Sequence, residues 1–175
     1  MPDSFPTLAP NWAARPLVGP ANVTAYIPQR VPFVLIDTLY QCGPGEAWAG
    51  LLVLGDHLMV QQGYLSEAGI LESMAQAVAL KSGYEACAQA AGTPPRVGLI
   101  AALKAVRVHT LAPVGCTLVT HVEVLLQALD VLVVKTSCGY NTTPVAQCEM
   151  RLFLEAAPPA QGIVAPEVTV PSYYA

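Results

Sequence analysis

The stretch SEAGILESMAQAVALKSGYEACAQAAG, residues 66–92, decides the fold of this chain. It is rich in Ala, Leu, Met, Glu and Gln, which favour the α-helix. Ser66 is a good N-cap, Glu67 complements the positive end of the helix dipole, and the run Gly-Thr-Pro-Pro beginning at Gly92 predicts the helix end. Its apolar residues lie nearly all the way round it: Ile70, Leu71, Met74, Ala75, Ala77, Val78 and Leu80. A helix apolar on every side is typically buried, so we predict one long central helix.

Strand-like segments lie on both sides of this helix. Before it, Phe33–Cys42 and Glu46–Leu54 flank the strong turn sequence Gly-Pro-Gly and predict a hairpin, and residues 22–28 predict one short helix. After it come Val97–His109, Thr117–Leu126, Val131–Tyr140 and Val145–Leu154. Turn residues separate the last three segments, which indicates an antiparallel meander. The predicted class is therefore α+β, with a long helix wrapped by an antiparallel sheet of about six strands.

The ends of the chain differ from its middle. Residues 1–20 contain five prolines and little periodicity, so they predict an irregular arm. Residues 158–175 are again rich in proline and are predicted to form an extended tail. A single folded domain is expected over residues 21–157, since no composition break divides it.

Composition restricts the class of protein further. Hydrophobic residues make up 54% of the chain and charged residues only 11%, so a homodimer or a higher homo-oligomer is expected to cover the excess apolar surface. No 18-residue run is free of charge and of helix-breaking residues, which argues against a membrane span. The net charge of −4 and the scattered basic residues exclude a nucleic-acid partner.

Cysteine usage points to the cellular compartment. The chain has five cysteines, an odd number, widely spaced and without a C-x-x-C pair. This pattern argues against a disulfide framework and against a metal site, and fits the reducing cytoplasm.

Three motifs, in this order, resemble the 3-hydroxyacyl-acyl-carrier-protein dehydratases of the FabZ and FabA type. Ile27–Asp37 (IPQRVPFVLID) is similar to their opening sequence LPHRYPFLLVD, and Ile70–Gln76 (ILESMAQ) is similar to their central-helix motif. Ala101–Gly115 (AALKAVRVHTLAPVG) resembles their strand leading into a Pro-Gly turn. The motifs span about two-thirds of the chain. The resemblance implies the hot-dog fold and a role with acyl thioesters.

The sequence departs from that family between Gln62 and Gly69. The dehydratases carry a Gly-His-Phe-Pro-Gly loop whose histidine is the catalytic base, whereas here the stretch reads QGYLSEAG, with Tyr64 where the histidine is expected. The chain therefore resembles a divergent branch that lacks the motif histidine.

Candidate catalytic residues follow from the chemistry of dehydration, which needs a base, an acid and donors to a developing oxyanion. The resemblance implies Glu72 as the acid. Tyr64 is a candidate hydrogen-bond donor to substrate, or else a packed loop aromatic. His57 is the nearest histidine and a candidate replacement base, or else a solvent-exposed turn residue.

Three further residues are candidates for substrate binding. Gln76 lies one helical turn after Glu72 and is placed to orient it, although a polar contact at a dimer seam is an equal interpretation. Gly69 and Gly98 are candidates for backbone N–H donors to the oxyanion, as the resemblance implies. The alternative is a loosened first turn of the helix at Gly69 and a strand kink at Gly98.

The leading hypothesis is a 3-hydroxyacyl-acyl-carrier-protein dehydratase-like enzyme with an altered base, from a fatty-acid or polyketide-type pathway. Its substrate would be carried on the phosphopantetheine of an acyl carrier protein or of coenzyme A, and no other cofactor is expected. Two alternatives stay open: a non-catalytic hot-dog subunit or carrier-binding module that depends on a second hot-dog protein, and an acyl thioesterase.

Overall fold

The computed structural model describes residues 16–89 and 97–155. Most of the predicted N-terminal arm, the predicted helix end at residues 92–95 and the predicted C-terminal tail lie outside the described residues. Within them, Val18 is buried and forms an isolated bridge with Leu39, so the chain already packs on the domain there.

The described elements follow the predicted order, with three short strands added. They are a 3-10 helix at Val23–Ala25, β1 (Thr38–Cys42), β2 (Glu46–Leu52), β3 (Val60–Gln61), β4 (Tyr64–Leu65), α1 (Glu67–Gln89), β5 (Val97–Val108), β6 (Ala112–Pro113), β7 (Thr117–Ala128), β8 (Val131–Tyr140) and β9 (Thr143–Glu155).

One antiparallel sheet carries the six long strands in the order β1-β2-β7-β8-β9-β5, and β3, β4 and β6 form a small separate sheet. The predicted turns are present. In the first hairpin, the Gly43 N–H donates to Glu46 O at 2.9 Å. Leu129 and Asn141, at the starts of the next two turns, have φ of 53° and 51°. Asn is among the residues that best tolerate this left-handed conformation.

Two predicted boundaries were wrong. The first strand begins at Thr38 rather than Phe33, because backbone groups of Phe33 and Leu35 bond to a helix side chain instead of a neighbouring strand. The predicted helix at residues 22–28 is only a three-residue 3-10 turn, Val23–Ala25.

Helix α1 packs against the inner face of the large sheet, as its apolar composition predicts. Ile70, Met74, Ala77 and Leu80 are fully buried in one core with sheet residues. Gly83 lets the helix approach the backbone of Tyr26, since a Cβ at this position would overlap the Tyr26 carbonyl oxygen. A long helix packed on a six-stranded antiparallel sheet is the hot-dog fold.

Strand β5 forms one edge of the sheet and pairs only with β9 among the described residues. It is 12 residues long, and four of its large apolar side chains are 39–49% exposed. These are Leu99, Ile100, Leu103 and Val106. A long apolar edge strand is a template for pairing with another chain.

Within the described residues, no helix combines the length and the hydropathy needed to cross a membrane.

Candidate active site

A hydrogen bond between two side chains of α1 defines the candidate site. Gln76 Nε2 donates to Glu72 Oε1 at 2.8 Å, and the two residues are four positions apart, so they share one helix face. Gln76 is fully buried and Glu72 is half-buried. The predicted orienting contact is therefore present within one chain.

Gln76 is itself fixed by the segment before β1. Its Nε2 also donates to Phe33 O at 2.6 Å, and its Oε1 accepts the Leu35 N–H at 2.7 Å. The amide of Gln76 thus uses both N–H donors and its oxygen. These bonds hold the Gln76 side chain in one orientation, and its bond to Glu72 in turn orients the Glu72 carboxyl group.

Glu72 lines a cavity of about 70 Å³ between α1 and the edge of the sheet. The cavity wall consists of Pro28, Gln29, Glu72, Ala75, Val78, Ala79, Ser82, Gly98, Ile100, Leu152 and Leu154. Small or apolar side chains form most of this wall, and Glu72 is its one ionisable residue among those described. A largely apolar wall with few polar groups is typical of small-molecule sites.

Gly98 lines this cavity. A residue proposed as a backbone N–H donor to a substrate in the cavity must do so. It lies on β5 opposite Leu154 of β9, and a Cβ at this position would lie 3.3 Å from Leu152 Cδ2. Glycine therefore keeps the β5 backbone open towards the cavity. Its role as an oxyanion donor stays a prediction.

Gly69 lies in the first turn of α1, and its N–H is already engaged. It donates to Ser66 Oγ at 3.2 Å, which is the N-cap bond that the sequence predicts. A Cβ on Gly69 would lie 2.6 Å from Leu65 Cδ1, so close packing is one reason for glycine at this position. To serve as an oxyanion donor, this N–H would have to give up or share its bond to Ser66.

Tyr64 and His57 do not line the cavity of their own chain. Tyr64 lies on β4 in the small sheet, pairs with Gln61 and Pro113, and is 47% exposed. His57 lies in the connection after β2, where its Nδ1 is 3.4 Å from the Leu54 nitrogen. If either residue takes part in catalysis, it acts in a site other than the Glu72 cavity of the same chain.

The sequence analysis missed Gln29, a residue of the first motif. The residue lines the Glu72 cavity, and its Oε1 is buried with no hydrogen-bond partner among the described residues. The available signal was a polar residue within the first motif, in the segment IPQRVPF.

The cysteines lie outside the candidate site. None lines the Glu72 cavity, and burial raises the pKa of the Cys138 thiol to about 12. Burial also raises the pKa of Cys87 and Cys148. Buried thiols that hold their protons this firmly are structural rather than nucleophilic. Within residues 16–89 and 97–155, no group of three or more His, Cys, Asp or Glu side chains could hold a metal ion.

Comparison with solved structures defines the class of protein first. The dehydratase heterocomplex ApeI:P from Xenorhabdus doucetiae contains a similar chain, with a TM-score of 0.70 and 20% identity over 75% of this chain and 90% of that one. A Streptococcus mutans UA159 protein bound to acetyl coenzyme A matches with a TM-score of 0.55 and 17% identity over 74% and 94%. A hypothetical thioesterase with coenzyme A from Streptococcus pneumoniae TIGR4 matches with a TM-score of 0.52 and 11% identity over 67% and 84%. At these identities the likeness establishes the hot-dog fold.

The family is established by sequence. The model of the ApeP-like family, described as ApeP dehydratase, matches residues 21–161. This chain belongs to the ApeP-like family of dehydratases. A search of the curated proteins found no significant match.

Proposed function

We propose that this chain dehydrates 3-hydroxyacyl thioesters, with Glu72 as the group that exchanges a proton with the substrate. The observation that carries the proposal is the position of Glu72. Its carboxyl group is oriented by Gln76 at 2.8 Å and lines a largely apolar cavity between helix and sheet. Membership of a dehydratase family supports the same reaction.

The reaction needs two proton transfers. A base removes a proton from C2, an acid protonates the C3 hydroxyl, and water leaves as the double bond forms between C2 and C3. Protonated Glu72 would act as the acid, because the carboxyl oxygen not bonded to Gln76 is free to give a proton to the hydroxyl. Gly98, on the facing strand, is a candidate for binding the thioester oxygen through its backbone N–H.

The second titratable group would come from a partner subunit. Among the described residues of one chain, Glu72 is the only ionisable side chain in the cavity wall. The cavity includes Gly98 and Ile100 of the exposed edge strand β5, so a chain pairing along this edge would complete the wall. Tyr64 or His57 of a second copy, or a residue of a different hot-dog subunit, is the proposed base. The heterocomplex of the Xenorhabdus protein supports the second arrangement.

The substrate would be attached to phosphopantetheine, on an acyl carrier protein or on coenzyme A. The acetyl coenzyme A bound to the Streptococcus mutans protein supports a thioester ligand for this fold. We further propose a cytoplasmic location, because none of the five cysteines is in a disulfide.

Dehydration is tested with purified 3-hydroxyacyl thioesters of several chain lengths, on carrier protein and on coenzyme A, by detecting the enoyl product. The Glu72→Gln variant should lose at least a hundredfold in kcat, which is typical of removing a general acid. Glu67→Gln is the matched control, because Glu67 lies on the same helix but is exposed. Equal loss in both variants, or full activity in Glu72→Gln, would contradict the role of Glu72.

A non-catalytic subunit is the second candidate, because Glu72 is the single ionisable residue of the cavity wall in the part of the chain that the structure describes, and one of the two proton transfers is left unassigned. This reading predicts thioester binding without turnover by the chain alone, and turnover after a catalytically complete hot-dog protein is added. Release of free thiol in the same assay, without an enoyl product, would instead identify a thioesterase.

A further inference from the structure

The face of the large sheet that points away from α1, which we call the outer face, carries a row of four charged residues. Lys135 on β8 pairs with Glu123 on β7 and with Glu149 on β9, and Glu149 pairs with Lys104 on β5. Residues paired across strands point to the same side of a sheet. Here that side is the outer one, since the neighbouring residue Val134 is fully buried in the core with α1.

The charges of this row alternate in sign from β7 to β5, so reversing the row exchanges the sign at every position. A second copy can pack face to face on the outer face, with a twofold axis that runs along the strands between β8 and β9. Each row then meets its own reverse. Glu123 faces Lys104 of the second copy, and Lys135 faces Glu149 of the second copy. Glu46, which pairs with Glu123 from β2, lies beyond the last strand of that copy.

The next two rows along the strands are largely apolar and complement their own reverse in size. One consists of Leu126, Val133, Arg151 and Ala102, and the other of Ala128, Val131, Phe153 and Leu99. Under the same axis, Leu126 faces Ala102 of the second copy, and Ala128 faces Leu99 of the second copy. A large side chain meets a small one each time. Leu99, Leu126 and Phe153 are 49–53% exposed in one chain, and packing of the two faces would bury them.

We propose that the outer face is an interface between two copies of this chain, packed sheet on sheet about the axis between β8 and β9. Sheets with nearly aligned strands pack in this way about 10 Å apart. An isologous interface requires a surface that is complementary to itself, and here both charge and size meet that requirement. A surface for an unlike partner would not need to match its own reverse, which is why a second copy is the occupant.

Cross-linking between two single-cysteine variants tests the arrangement. Chains with Leu126→Cys and chains with Ala102→Cys are mixed and treated with a short bis-maleimide, and the wild type shows the background from native cysteines. The mixture should give cross-linked dimers, because the axis sets position 126 over position 102 of the other copy. Each variant alone should give few, since the two copies of position 126 lie three strand spacings, about 14 Å, apart sideways.

Charge reversal tests the electrostatic complementarity. Glu123→Lys or Lys104→Glu alone should weaken association through this face about tenfold or more at low salt, because each change affects two contacts of an isologous interface. The two changes together exchange the charges and should restore most of the affinity. Glu123 and Lys104 lie three strands apart within one chain, so this recovery can come only from contacts between copies. Sedimentation velocity gives the dissociation constants.

Asp56→Lys is the matched control, because Asp56 is exposed in the connection after β2 and outside the outer face. It should leave association unchanged. Equal cross-linking in the mixture and in the single variants, or a double reversal as weak as either single one, overturns the proposal. A wild type that does not associate through this face leaves the surface to a different protein and overturns it as well. No readout depends on turnover, so these outcomes are independent of the dehydratase assignment.

Discussion

Gln76 joins the Glu72 carboxyl group to the backbone that precedes the first strand, 41 and 43 residues away in sequence. A single amide thus fixes the orientation of the candidate acid and closes two backbone hydrogen bonds. Helix and strand segment are coupled at the point where catalysis is proposed.

Replacing Gln76 with Leu should reduce stability and activity together. The buried Leu35 N–H and the Phe33 carbonyl lose their partner, which costs about 2–4 kcal/mol of unfolding free energy. Because Glu72 also loses its orienting bond, the kcat of the variant should fall about tenfold to a hundredfold, with little change in KM. Urea denaturation and steady-state kinetics measure the two effects.

Gln89→Leu is the control for this change, because Gln89 is exposed at the end of the described helix. A kcat unchanged in Gln76→Leu at temperatures where the variant stays folded would show that Gln76 has only a structural role.

Gly83→Ala should destabilise the protein, although alanine favours the helix by about 1 kcal/mol. The added methyl group would overlap the carbonyl oxygen of Tyr26, so the helix and this segment must separate. We expect a net loss of about 2 kcal/mol or more in unfolding free energy, measured by thermal or urea denaturation. Gly45→Ala, where no atom lies within 4 Å of the new methyl, should change stability by much less.

Alkaline pH should destabilise the fold through its buried thiols. Burial raises the pKa of Cys138 from 9.0 to about 12, so between these values the folded chain keeps a proton that the unfolded chain has lost. Its contribution to stability is complete below pH 9 and is lost as pH rises towards 12, at up to about 1.4 kcal/mol per pH unit.

Urea midpoints at pH 7.5, 9 and 10.5 test this expectation. Cys138→Ala should be less stable at pH 7.5, because of the lost packing, but should decline less steeply above pH 9. Parallel pH profiles for the variant and the wild type would rule out Cys138 as a source of the decline.

Charge placed on the β5 edge should weaken self-association. Leu103 and Val106 are 39% and 41% exposed on this strand, and pairing along the edge would bury them. The double change Leu103→Lys, Val106→Lys should raise the dimer dissociation constant at least a hundredfold, since each apolar side chain contributes about 1.5–3 kcal/mol when buried. Light scattering after gel filtration over a range of concentrations gives the constant.

Leu129→Lys provides the comparison, because Leu129 is 96% exposed in the turn between β7 and β8. A wild-type chain that stays monomeric at high micromolar concentration, or a double variant that associates like the wild type, would contradict pairing through β5.

Local chemistry explains what the sequence predicted well. The N-cap at Ser66, the glycine-rich hairpin turn and the turn at Asn141 depend on residues a few positions apart. The spacing of Glu72 and Gln76 placed both on one helix face by the same reasoning, since i and i+4 always meet on a helix. The first strand was predicted too long because its first half bonds to a side chain 41 residues away, which no local pattern reveals.

The sequence by itself determined the helix, the order of the six long strands along the chain, and the placement of Glu72 and Gln76 on one helix face. The tertiary structure alone decided which residues face them. Gly98 reaches the Glu72 cavity because β5 pairs with β9 at the sheet edge, Gln29 reaches it because its segment crosses the helix, and Tyr64 and His57 lie elsewhere. The physical reason is that side-chain spacing along a helix is fixed by its geometry, whereas contacts between distant segments depend on sheet order and register, which only the assembled core defines.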